Sequence, residues 1–297
     1  MFTAAALIGV CLTAAGCADG DGGQAPGAAP PETASRSASS SPATSPSSSA
    51  PSSSSAPESS PSTGSGSTKP PAQGPLSGRT VVIDPGHNPG NRDHAREINA
   101  QVKMGTGHKE CDTTGTATNS GYAEAQFTLD VSRRLRTLLE KEGAKVVLTQ
   151  DGDRPFGPCV DERARIGNEE KADAVVSVHA DGAATGNRGF HVILPAAVHG
   201  DGADTAKIVV PSRELGVRIA GNFVRTTGSA PSNYIGEDTG LDTRDDLGGL
   251  NLSTVPKVFI ECGNMRDPKD AALLTSKGWR QKAALGIAGG INSYLTR

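Results

Sequence analysis

From Ala18 to Pro75 the chain contains no Val, Ile, Leu, Met, Phe, Trp or Tyr, and Ser, Pro, Ala, Gly and Thr fill the stretch with a few charges. Such a segment cannot bury enough apolar surface to offset the entropy of ordering its backbone, so residues 18–78 are expected to form a disordered linker. That leaves residues 79–297 to fold, a length suited to one domain around a single core.

The extreme N-terminus, "MFTAAALIGVCLTAAGC", is a short apolar run closed by small residues. It is shorter than the roughly 20 residues of a membrane span and reads as an export signal over residues 1–17. Its end, Ala14-Ala15-Gly16-Cys17, resembles a bacterial lipobox, which makes Cys17 the expected lipidation site. The protein is then expected in the cell envelope, anchored by lipid to the outer face of the cytoplasmic membrane or secreted. Formal net charge is −3, with Lys and Arg scattered through the folding part. No basic stripe argues for nucleic acid, and membrane contact is expected only through the anchor. A monomer is expected.

Within residues 79–297, strand-like runs fall at 80–84, 145–149, 174–179, 189–194 and 257–261. Between the first two, Phe127, Val131, Leu135, Leu138 and Leu139 recur at helical spacing, and Gly143 supplies the stop, which predicts a helix over 123–142. Further helices are expected over 159–171, 213–226 and 277–294. Strands alternating with helices define an α/β domain, a mainly parallel, mixed twisted sheet flanked by helices on both faces.

Ligands of such sheets collect beyond the carboxyl ends of the strands. The first strand here ends in "DPGH" with His87, the third in "VVSVHAD" with His179, and the last in "VFIECGN" with Glu261. Two imidazoles and a carboxylate thus arrive at one rim. Two imidazoles with one carboxylate form the ligand set of hydrolytic zinc sites, whose fourth position admits water. If Glu261 serves proton transfer, another acid must complete the set. Glu124, in the first turn of the long amphipathic helix, is placed to face the rim, while Glu97 and Glu110 compete from loop sequence. Asp84 is a candidate to orient an imidazole, or simply a turn residue after its strand.

Beyond the signal the cysteines are Cys111, Cys159 and Cys262. Cys262 follows an apolar run and is expected to be buried. Cys111 and Cys159 lie in Gly- and Pro-containing loop sequence of an exported chain, and they are expected to pair.

Taken together, "VVIDPGHNPG", "GYAEAQF", "VVSVHADG" and "VFIECGNM" resemble the zinc-dependent N-acetylmuramoyl-L-alanine amidases of the Amidase_3, AmiC-like type, over nearly all of residues 79–297. The resemblance implies a zinc-exopeptidase-like catalytic domain that acts on peptidoglycan or muropeptides. It also implies one Zn2+ held by His87, Glu124 and His179, with Glu261 as catalytic glutamate. The chain departs from the usual motifs at Asn88-Pro89-Gly90, at Ala125 and at Cys262-Gly263-Asn264, none of which removes a ligand or the base. In "DTGLDTRDDLGGLNL", Arg244 and Asn251 are candidates for contact with muramyl or peptide groups. The rival readings are a zinc carboxypeptidase acting on stem peptides and a non-catalytic peptidoglycan-binding lipoprotein.

Overall fold

The computed structural model describes residues 74–297. The export signal, Cys17 and all but the last few residues of the expected linker lie outside the described residues. Packing reaches back past residue 79, because Leu76 is fully buried in the main core and its amide donates to the Glu142 carbonyl (2.9 Å).

The main sheet is assembled from β1 (Thr80–Pro85), β2 (Lys145–Leu148), β3 (Ala174–Asp181), β4 (His191–Pro195), β5 (Leu241–Arg244) and β6 (Lys257–Asn264). Their order across the sheet is β2-β1-β3-β6-β4-β5. The first four in that order run parallel, while β4 joins β6 antiparallel and carries β5 parallel to itself. The sheet is therefore mostly parallel and mixed, with helices on both faces.

Helix α1 (Glu124–Lys141) follows the His87 loop, and α2 (Val160–Glu169) precedes β3. The long helices α3 (Val209–Thr227) and α5 (Lys277–Leu295) flank the short α4 (Pro268–Leu274). Helix α3 starts four residues before the expected 213, because Pro211 falls in its first turn, where a missing amide hydrogen costs nothing. β5 falls outside the strand-like runs read from the sequence. It is an edge strand of four residues, Leu-Asp-Thr-Arg, too short and too polar to announce itself.

The period of two along each strand sorts residues between faces. Val81, Ile83, Val176, Val178, Val258 and Ile260 point into one large core with α1, α3 and α5. Their chain neighbours Asp84, Ser177, His179, Lys257 and Glu261 alternate to the other face, where the buried apolar cluster among the described residues is Val82, Ala172 and Val175. Helix α2 lies on that polar face, with Ile166 against the small cluster.

Candidate metal centre

His87 sits just past β1 with φ +59°, a left-handed backbone that a non-glycine residue adopts only when its surroundings enforce it. The enforcement is visible. The His87 carbonyl accepts from Gln150 Nε2 (2.9 Å) and Arg163 Nη2 (3.2 Å). Thr128 of α1 donates its hydroxyl to the neighbouring Gly86 carbonyl (2.7 Å). Gly86 admits no side chain, since a Cβ there would lie 2.3 Å from His179 Cε1. Gly115 (φ +70°) closes the opposite wall, where a Cβ would lie 2.6 Å from His87 Cδ2 and 2.8 Å from Glu124 Oε2.

Glu124 opens α1 and is buried. Its Oε1 lies 3.0 Å from His179 Nδ1 and accepts from the Ala180 amide (3.2 Å). Its Oε2 lies 3.2 Å from His87 Nε2 and accepts from the Thr116 amide (2.9 Å). The two rings stand edge to face with centroids 5.0 Å apart, and His179 stacks on Phe259. One donor atom from each of His87, Glu124 and His179 falls within 4.8 Å of the others, so the three can hold a metal ion. Glu97 and Glu110, the competing acids, are not in that group.

The electrostatics suit a cation. Burial alone would lower the His87 imidazole, but the Glu124 charge, with Asp112 behind it, pushes it up to about 10. Burial would raise Glu124, and His87 followed by His179 instead hold it far below the ordinary carboxylate range. A field that binds a proton this firmly also favours a divalent ion with nitrogen and oxygen donors.

Glu261 is opposite His179 in the parallel pairing of β3 and β6, and opposite His191 in the antiparallel pairing of β6 and β4. Its Oε2 is fully enclosed and, among the described residues, has no hydrogen-bond partner. Burial, reinforced by the charges of Glu124 and Asp181, raises its pKa well above the usual glutamate value. A poised, unengaged carboxyl group of this kind is what proton transfer requires. Together with His87, Glu124 and His179 it lines a cavity of about 200 Å³ that also takes in Arg244, Asp181 and Phe259.

Arg244, at the end of β5, faces this cavity while its guanidinium pairs with Asp246 (2.6 Å). Asn251 is placed differently. It is buried in the single helical turn Gly248–Asn251, and its amide nitrogen donates to the Asp245 carbonyl (2.7 Å) and to Thr106 Oγ1 (3.3 Å). It thus holds two loops together behind the site. Asp84 does not orient an imidazole directly, because its oxygens are taken by Arg163, Lys257, Thr149 and Ser177. Cys111 and Cys159 form a disulfide, and Cys262 is buried and free.

Sequence reasoning missed Asp112, whose Oδ1 lies 3.3 Å from His87 Nδ1, and Arg163, which reaches it from α2. The only available signal was Cys111, whose pairing with Cys159 brings the Asp112 loop to the start of α2.

Comparison with known proteins identifies the family and fold to which the chain is similar. The family model described as N-acetylmuramoyl-L-alanine amidase, Amidase_3, matches residues 81–293. The N-acetylmuramoyl-L-alanine amidase Rv3717 of Mycobacterium tuberculosis is 41% identical over 221 residues, covering 74% of this chain and 88% of its own. The crystal structure of the N-acetylmuramyl-L-alanine amidase Ami1 from Mycobacterium smegmatis superimposes with a TM-score of 0.67 at 40% identity, over 74% of this chain and 98% of that one. The apo form of Ami1 from Mycobacterium abscessus gives the same TM-score and identity, covering 74% of this chain and 100% of its own.

Proposed function

This chain belongs to the N-acetylmuramoyl-L-alanine amidase family, and from that premise we propose how its own residues carry out the reaction. It is a peptidoglycan hydrolase that cuts the amide bond between the lactyl carbonyl of N-acetylmuramic acid and the L-alanine of the stem peptide. His87, Glu124 and His179 hold a single zinc ion, and Glu261 handles the proton. The observation that carries this assignment is the convergence of two imidazoles and one carboxylate within 4.8 Å, beside an enclosed acid that has no partner among the described residues.

Zinc bound there supplies Lewis acidity, which brings water into the nucleophilic range near neutral pH. Glu261 Oε2 takes the proton of the attacking water and delivers it to the departing nitrogen of L-alanine. The raised pKa of Glu261 makes its carboxylate a stronger base than an ordinary glutamate, which suits it to accept that proton. Phe259 stacks on His179 and excludes water from one side of the ring. Arg244, which lines the cavity with its guanidinium held by Asp246, is assigned to contact polar groups of the muramyl-peptide substrate.

The protein acts outside the cytoplasmic membrane, where a Cys111–Cys159 disulfide persists and where its substrate lies. We assign it there as a monomer. Among the described residues no helix is long and apolar enough to cross a membrane.

The test is digestion of purified muropeptides by the zinc-loaded protein. The expected products are an intact stem peptide with a new α-amino group on L-alanine and a sugar with a free lactyl carboxylate. Release of only the C-terminal residue of the stem would overturn the assignment in favour of a carboxypeptidase.

A further inference from the structure

The reaction described above leaves a set of buried charges unused on the polar face of the sheet. Lys257 and Asp84 are both fully enclosed, with Nζ 3.3 Å from Asp84 Oδ2. Asp84 Oδ1 accepts from Arg163 Nη1 at 2.7 Å. Arg163 Nη2 in turn donates to Asp112 Oδ2 at 2.9 Å. The other oxygen of Asp112 lies 3.3 Å from His87 Nδ1. Signs alternate along the line from ammonium to carboxylate to guanidinium to carboxylate, and the last carboxylate ends on the His87 imidazole.

Arg163 is held without freedom. A guanidinium has five N–H donors, and here Nε goes to the Pro158 carbonyl, Nη1 to Asp84 and the Pro85 carbonyl, and Nη2 to Asp112 and the His87 carbonyl. The same side chain therefore fixes the Asp112 carboxylate and the strained backbone of His87. The disulfide secures the other end, since Cys111 precedes Asp112 and Cys159 precedes α2.

From this geometry we infer that Asp112, locked by Arg163, is a positioning residue for the metal centre. His87 Nδ1 meets Asp112 (3.3 Å) and the Thr113 carbonyl (3.1 Å), neither of which can donate, and the Thr113 hydroxyl (3.2 Å), which can accept as well as donate. The proton of the ring is thereby held on Nδ1, and the lone pair is presented from Nε2, the nitrogen that faces Glu124. A carboxylate behind a ligating imidazole orients the ring and makes it a better donor.

The inference rests on the proposed metal site, and zinc affinity separates the two. Metal-free protein, with its disulfide intact, is titrated with zinc in competition with a chromophoric chelator. Asp112→Asn is expected to weaken zinc binding about 10–100-fold, measured at a temperature where the metal-free variant remains folded. If wild type itself takes up no zinc, the metal-site assignment fails. If wild type binds and Asp112→Asn binds with the same affinity, only the role of Asp112 fails. Should that variant not fold, nitrogen-15 NMR of the imidazoles in the unaltered zinc-loaded protein decides the matter. A protonated Nδ1 and a metal-bound Nε2 on His87 are expected, and the reverse tautomer overturns the inference.

Discussion

The two faces of the central sheet are built from the same strands on opposite terms. Toward α1, α3 and α5, alternate residues such as Val81, Ile83, Val176, Val258 and Ile260 join a continuous apolar core. Toward α2, the residues between them supply Asp84, Ser177, His179, Lys257 and Glu261, with a small apolar cluster in support. Burial of hydrocarbon stabilises the first face directly. On the second face, each enclosed charge carries a desolvation penalty that is met by a partner of opposite sign, as for Asp84 and Lys257, or by a shifted pKa, as for Glu261. A strand with a period of two can therefore devote one set of side chains to stability and the other to chemistry.

Glu261 and Ile260 are adjacent in the chain and face opposite ways, so they test that division most sharply. Glu261→Gln is expected to lower turnover by about 10²–10⁴-fold and to leave zinc content and the unfolding midpoint unchanged. Ile260→Ala is expected to cost about 2–5 kcal/mol of stability, while the folded fraction keeps wild-type turnover. Muropeptide turnover and denaturant unfolding, measured on both variants, separate the faces. Equal effects on both readouts would dissolve the comparison.

Asp84→Ala should destabilise the domain by about 3–5 kcal/mol, because Lys257 is left buried without a counter-charge and Arg163 keeps only Asp112. The polar face should also carry an acid sensitivity that the apolar face lacks. Burial would raise Asp84, but Lys257 and Arg163 hold it far below the ordinary carboxylate range. A group with a depressed folded value contributes stability that is fully present above its unfolded value, about 4. That stability drains away as pH falls below it toward the folded value. Asp84→Asn should therefore flatten the acid limb of a stability-against-pH curve, and a limb parallel to wild type would show that Asp84 does not titrate in this way.

Replacing Cys111 and Cys159 by Ser should cost about 2–4 kcal/mol, read as a lower thermal midpoint. At the bottom of the scale, Lys145 pairs with Glu170 at a largely exposed position. Lys145→Met is expected to move stability by no more than about 0.5 kcal/mol, since only enclosed charges matter to the comparison.

Much of this organisation was legible in the sequence. β-branched runs marked β1, β3 and β6, and a histidine or glutamate at each carboxyl end marked the rim. Glu124 could be proposed because helical periodicity set where α1 begins. The sorting of the faces was hidden, since Val82 and Val175 are as apolar as Val81 and Val176, and an unbroken apolar run conceals its alternation. The contact of Arg163 with Asp84 and Asp112 joins α2 to residues 79 and 51 positions away, and no local pattern encodes it. β5 escaped for a different reason, because an edge strand satisfies only one side of its ladder and needs no apolar run.

The central claim is that His87, Glu124 and His179 together bind one divalent cation on the rim of the sheet. Calorimetric titration of the metal-free protein with zinc tests it most directly, with Glu124→Gln and His179→Ala run beside wild type. One zinc per chain is expected for wild type, with that binding lost or greatly weakened in both variants. Uptake of zinc by either variant with wild-type stoichiometry and affinity would contradict the account.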